Sequence, residues 1–191
     1  MEKETHSSAR TLKIAACLLV AAFAQTFLPR TAWLSYIDWL LLVTVYVSLM
    51  RDPVQSLLTG TAAGVLQDAA SSAPLGISGM ANVLAAYLTY WVASHVYIEG
   101  LMVRVVTVAG ASLVSKLTRL GLYRLFRFDL PPLTNTRSAI LWVVIGIGVN
   151  LLVSLLLFPA LDRIFKTGVR QRARRAEAMR GMRRRRWKKM V

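Results

Sequence analysis

GVLQDAASSAPLGISG, Gly64 to Gly79, sets one carboxylate, Asp68, and a Pro74-Leu75-Gly76 turn inside sequence otherwise apolar enough to lie in a membrane. A charge in such surroundings is costly unless neighbouring groups bond to it, so its position marks a helix contact or a helix end. The spacing on its N-terminal side favours a contact. Gly60, Gly64 and Asp68 stand four apart, which puts two glycines and the carboxylate on one face of a helix, with Gly60 and Gly64 forming a GxxxG pair. A second backbone can approach closely there. Asp68 is then expected at the outward end of the contact, beside Ser71, Ser72 and the turn. An Asp that merely ends a helix at the interface is the simpler alternative.

The rest of the chain supplies the membrane context. Hydrophobic residues make up 55% of the 191 residues, above the share usual in soluble domains, and the length suits one membrane domain. Six apolar segments are bounded by charge, Pro or Gly, approximately 11–28, 32–50, 53–70, 76–96, 101–120 and 138–161. Each is near or above the ~18 to 20 residues that cross a ~30 Å hydrocarbon layer as a helix. The runs are too continuously apolar for barrel strands, so an all-α polytopic fold with six transmembrane helices is predicted. Short connections at Arg51-Asp52 and Ile98-Glu99-Gly100 imply up-and-down packing of neighbours.

Charge is concentrated at the C-terminus. Residues 166–191 hold twelve Lys or Arg against one acid, Glu177, and so supply +11 of the formal +15. The chain is therefore divided into a six-span domain, residues 1–165, and a basic cytoplasmic tail, residues 166–191. The run Arg183, Arg184, Arg185, Arg186, Trp187, Lys188, Lys189 could suit nucleic acid. Following a last hydrophobic span, it reads better as an anchor on anionic lipid that obeys the positive-inside rule. Lys3, Arg10 and Lys13 before the first span place the N-terminus on the same side. Both termini are thus expected in the cytoplasm, which an even number of spans satisfies.

One region disagrees with that orientation. Lys116, Arg119, Tyr123 and Arg127 fall three or four apart on the fifth span and share a helical face. It either lines a polar cleft or runs along the outer interface. The N-terminus has the look of a signal peptide, with Ala22-Phe23-Ala24 before Gln25, but the apolar run continues to Leu28 and favours a retained span.

Nothing in the sequence forms a catalytic constellation. His6 and His95 lie in the N-terminal arm and at the end of the fourth span, and no HExxH, nucleophile elbow, P-loop or dinucleotide fingerprint occurs. The paired intramembrane carboxylates of an aspartyl protease or a proton-coupled carrier are missing too: Asp38 and Asp68 are the candidates, and Asp38 is expected near the outer end of its span. Cys17, the only cysteine, reads as a small lipid- or core-facing residue and excludes a disulfide framework. No cofactor is expected, and the chain is not read as an enzyme.

The runs YIDWLLLVTVYVSLMRDP and GTAAGVLQDAASSAPLGISGMANVLAAYLTYWV resemble the MreD family of bacterial rod-shape-determining membrane proteins. The likeness rests on a tryptophan-led second span, Gly64-x-x-x-Asp68, the Leu75-Gly76 turn, Ala86-Tyr87 in the fourth span and the closing FPALDRIF at Phe158 to Phe165. It covers about residues 10 to 166. The long basic tail and a lysine, Lys116, midway along a span depart from that pattern. The resemblance implies a non-enzymatic inner-membrane scaffold of the cell-wall elongation complex. Its partners would be an MreC-like membrane protein and, through it, MreB, RodA and a penicillin-binding transpeptidase. It also implies a fold similar to the substrate-binding subunits of energy-coupling-factor transporters, which makes a small-molecule uptake subunit the alternative.

Overall fold

The computed structural model describes residues 2–27, 36–71, 74–95, 101–126 and 136–187, with side-chain surroundings for 10–27, 36–71, 74–95, 104–126 and 137–165. The protein is all-α: among the described residues there are six helices and no strand. They are α1 (Glu2–Phe27), α2 (Trp39–Ser48), α3 (Pro53–Ala70), α4 (Ile77–His95), α5 (Leu101–Leu125) and α6 (Thr136–Trp187). The chain divides into two compact units, residues 1–154 and 155–191.

Three helical stretches are long and apolar enough to cross a membrane by themselves, Arg10–Phe27, Arg104–Leu125 and Arg137–Phe165. The other three helices do not reach that measure. α2 is a 10-residue helix, and of its expected segment, residues 32–35 lie outside the described residues. α3 and α4 reach 18 and 19 residues, but their inward faces carry polar side chains, Gln67 and Asp68 on one and Ser78, Asn82 and Thr89 on the other. Polar groups turned into a bundle lower the average hydropathy without facing lipid. At the other end of the chain, α6 continues in helical form through residue 166 and on to Trp187.

α2 is the hub of the first unit. Every residue from Leu40 to Ser48 is buried, because the helix packs against α1, α3, α4 and α5. WLLLVTVYVS is apolar nearly all round, as a helix enclosed by others must be. α3 begins at a strong local signal: the Asp52 carboxylate accepts from the Gln55 N–H at 3.2 Å, and Pro53 occupies the first turn, where its missing N–H costs nothing. Arg51, just before, has φ +64°, an uncommon conformation for a side-chain-bearing residue that turns the chain sharply between α2 and α3. Arg10 of α1 holds this turn through its ion pair with Asp52 at 3.6 Å and a contact to the Met50 sulfur at 3.3 Å.

Candidate functional site

The α3–α4 hairpin answers the question raised by Asp68. A Cβ placed on Gly64 would collide with the Cα of Gly79 and lie 2.6 Å from the Ser78 carbonyl oxygen, so the two backbones touch where only glycine fits. One turn earlier, a Cβ on Gly60 would lie 3.0 Å from both the Ala86 Cβ and the Asn82 carbonyl oxygen. The face read from the sequence is thus the α3–α4 contact.

Asp68, 1% exposed, reaches from the end of α3 to the beginning of α4. Its Oδ2 accepts from the Gly76 N–H at 2.7 Å, and the Ser78 N–H donates to its two oxygens at 3.1 and 3.2 Å. A longer bond from Gly79 N–H, 3.4 Å, completes the set. The first N–H groups of a helix have no partner within it and carry the positive end of its dipole, so a carboxylate is the natural group to receive them. Asp68 therefore caps a helix other than its own. The turn before α4 makes this geometry possible: Gly76 adopts φ +105°, which a side chain would resist, while Leu75 is 76% exposed and Pro74 half-buried. All of these donors are backbone N–H groups, and the Ser71 hydroxyl bonds instead to the Asp68 backbone carbonyl at 3.3 Å. Ser72 lies outside the described residues.

A second polar centre lies deeper in the first unit and is built from five helices. Asp38, immediately before α2, is its anion. Gln67 Nε2 of α3 donates to Asp38 Oδ1 at 2.5 Å, Arg119 Nη1 of α5 reaches the same oxygen at 3.3 Å, and Lys116 Nζ lies 3.8 Å from Oδ2. The amides then link the remaining helices. Asn82 Nδ2 of α4 donates to Gln67 Oε1 at 3.0 Å, and Arg119 Nη2 lies 3.1 Å from Gln67 Oε1, from Asn82 Oδ1 and from Ser115 Oγ. Asn150 of α6 accepts from the Asp38 backbone N–H at 3.0 Å and donates to Ser112 Oγ at 3.3 Å.

Lys116, 1% exposed, completes the centre from the middle of α5. Its ammonium sits 4.2 Å from the centroid of the Trp142 ring, a cation–π contact strengthened by exclusion of water. The side chain fits because α6 has Gly146 opposite, where a Cβ would overlap Lys116 Cε and Nζ. A lysine that looked out of place in the sequence is thus enclosed by a carboxylate, a tryptophan and a glycine.

The face of Lys116, Arg119 and Tyr123 therefore turns inward, not along an outer interface, with Tyr123 half-buried; Arg127 lies outside the described residues. In the sequence Asp38 was weighed only as half of a carboxylate pair, and Gln67, Asn82 and Asn150 were not singled out. Their common signal is an acid or amide within an apolar run. Arg183, Arg184, Arg185, Arg186 and Trp187 fall in the helical backbone of α6, their side chains beyond those described, and Lys188 and Lys189 lie outside the described residues.

His95 is exposed, lies tilted against Trp91 at 4.7 Å between ring centroids and has Nδ1 2.8 Å from the Trp91 carbonyl oxygen. Among the described residues no three His, Cys, Asp or Glu side chains converge as metal ligands. What the polar groups do chemically is bind helices together: Asp38 Oδ1 accepts from α3 and α5, and Gln67 Oε1 accepts from α4 and α5.

Neither a curated protein nor a solved structure matches the chain. A family does: the model described as rod shape-determining protein MreD matches residues 8–167, a span that contains the α3–α4 hairpin and the whole polar centre, and the chain belongs to this family of rod shape-determining membrane proteins.

Proposed function

We propose that this protein is a non-enzymatic scaffold of the cell-wall elongation complex, set in the bacterial inner membrane with both termini in the cytoplasm. It binds an MreC-like membrane protein and, through it, supports MreB filaments, RodA and a penicillin-binding transpeptidase in peptidoglycan synthesis. The family membership supports a role in rod shape. The observation that carries the scaffold reading is the closed polar centre. Asp38, Lys116, Arg119, Gln67, Asn82 and Asn150 are each below 8% exposed and bond to one another across helices. Groups engaged in this way hold a bundle in one arrangement, and they are not presented to a substrate or a transported solute.

The basic segment from Lys166 acts on the anionic inner leaflet and not on nucleic acid. Near such a surface each Lys or Arg contributes ~1 kcal/mol within a Debye length of ~8 Å. A few engaged residues suffice to hold the segment there.

The test is affinity purification of the tagged protein from its native membranes in mild detergent. Recovery of an MreC-like protein in near-stoichiometric amount supports the scaffold. Recovery of a pair of ATPase subunits instead would make the protein an uptake subunit resembling an energy-coupling-factor substrate-binding component.

A further inference from the structure

α6 carries more apolar length than one crossing needs. Its membrane-competent stretch, Arg137–Phe165, has 29 residues, whereas about 20 cross a ~30 Å hydrocarbon layer. Tilt alone does not absorb the excess. At 1.5 Å per residue the whole stretch would have to lean by about 46°, beyond the ~0 to 40° that spanning helices adopt. A crossing that starts at Arg137 is therefore complete near Leu157, and the charged pair Asp162-Arg163 follows a little beyond that boundary.

Pro159 stands just past the same boundary, inside the helix. It has no N–H to offer the Leu155 carbonyl, and its ring crowds that carbonyl, so α6 changes direction most easily over this turn. Two further observations fall at the same place. The Ser154 hydroxyl donates to the Leu151 carbonyl at 2.7 Å, a local bond of the kind that accompanies helix bends. The two compact units also part between Ser154 and Leu155.

Beyond the proline, the order of residues suits a surface. Ile164, Phe165, Val169, Met179, Met182 and Trp187 are the large apolar residues of 163–187, and at 3.6 residues per turn their positions fall within about 140° of one side. Arg163, Arg170, Arg174 and Arg185 stand on the opposite side. Arginine occurs among the apolar positions too, which an interface accommodates: an arginine stem can lie in apolar surroundings while its head reaches phosphate. A strongly basic helix with one apolar edge lies in the interface plane, and neither crosses the layer nor stands in water. From this combination we infer that α6 turns at Leu155–Pro159 and that residues 163–187 form a surface helix along the anionic leaflet, its apolar edge at the acyl boundary and its basic side among head-group phosphates. The inference rests on the lipid reading of the basic segment above and gives that reading a geometry. The alternative is a rod of residues 166–187 reaching about 33 Å into the cytoplasm.

Spin labels on the full-length protein, in a Cys17→Ser background and in vesicles containing phosphatidylglycerol, test the assignment. Pulsed distance measurement between Ile140→Cys, an exposed site on the span, and Met179→Cys reads the bend. The pair lies about 58 Å apart if α6 runs straight, and about 48 Å apart if a bend of ~70° and the usual ~20° tilt lay the segment flat. Pro159→Ala, which restores the bond to Leu155, should move the distribution toward the longer value. Depth gives the second reading. A label at Met179 should collide with membrane-dissolved oxygen, and one at Arg174→Cys with a water-soluble nickel chelate, their collision ratios differing several-fold. A distance near 58 Å with Pro159 in place, a distribution indifferent to Pro159→Ala, or equal access of the chelate to both labels would overturn the inference. Vesicles of phosphatidylcholine alone separate it from the lipid reading. Oxygen contact at Met179 that depends on phosphatidylglycerol, without the shorter distance, refutes the surface helix and leaves the lipid role standing; contact equal in both vesicles refutes the lipid role.

Discussion

Replacing Gly64 by alanine is the smallest change that probes the α3–α4 contact, and the geometry fixes its cost. The added methyl would lie 2.6 Å from the Ser78 carbonyl oxygen and closer still to the Gly79 backbone. Ordinary carbon contacts lie at ~3.5 Å or more, so the helices must separate by about 1 Å at this level. Backbone, unlike a flexible side chain, cannot swing aside. The same displacement takes the Asp68 bonds to Gly76 N–H and Ser78 N–H, now 2.7 and 3.1 Å, past hydrogen-bonding range. Overpacking costs about 1 to 3 kcal/mol and a weakened cap adds about 1, for a total of about 2 to 4 kcal/mol. For a chain of this size that lowers the melting midpoint by roughly 5 to 15 °C. Cys17, half-buried on α1, supplies the readout through a thiol-reactive dye during heating in detergent. Gly60→Ala, with 3.0 Å to its nearest neighbours, should cost less, about 1 kcal/mol. Gly148→Ala, with open space around it, should be neutral or mildly stabilising through helix propensity. Equal midpoints for Gly64→Ala and Gly148→Ala would refute the close contact.

Asp38→Asn removes the anion facing Lys116 and Arg119 and is expected to cost about 3 to 5 kcal/mol, as loss of one partner from a buried pair does. Adding Lys116→Met should restore part of that loss, and additive losses in denaturant titration would show that the charges are not coupled. Single cysteines at Ser8, Ser72, Thr134 and Thr167 in a Cys17→Ser background should label from outside only at Ser72 and Thr134. External labelling at Thr167 would remove the six-span arrangement and fit an odd number of spans instead. A peptide of residues 166–191, followed by Trp187 fluorescence, should bind vesicles containing phosphatidylglycerol or cardiolipin and release them as salt rises. Equal binding to neutral vesicles, or stronger binding to RNA at the same ionic strength, would defeat the lipid role.

Local signals made α3 and its inner face readable from sequence. Asp52-Pro53 announces the start of the helix, and Gly60, Gly64 and Asp68 share one side of it by spacing alone. What Asp68 bonds to was less legible, because a sequence does not say which N–H groups a turn will present. The polar centre was hidden for a different reason. Its members sit on separate helices, and Asp38 and Asn150 are 112 residues apart, so no spacing rule relates them. Lys116 looked anomalous because the side chains that accommodate it, Asp38, Trp142 and Gly146, come from elsewhere in the chain. Helix lengths misled where residues face inward: apolar runs measure fitness for lipid, and α2 meets little lipid.

The order in which the polar centre becomes complete bears on how the protein is made. Asp38 enters the membrane long before the cations that neutralise it, since Arg119 follows 81 residues later. At about 5 to 20 residues per second, translation leaves that carboxylate waiting roughly 4 to 16 s for its partner. During that interval α2 and α3 hold an unneutralised acid, and Gln67, itself held by Asn82, can occupy only part of its bonding capacity. The insertion machinery must therefore retain the early helices, or shelter them in a hydrated vestibule, until α5 emerges. A nascent chain arrested before Lys116 should remain beside that machinery and be a preferred target of membrane proteases, while one extended past Asn150 should be released.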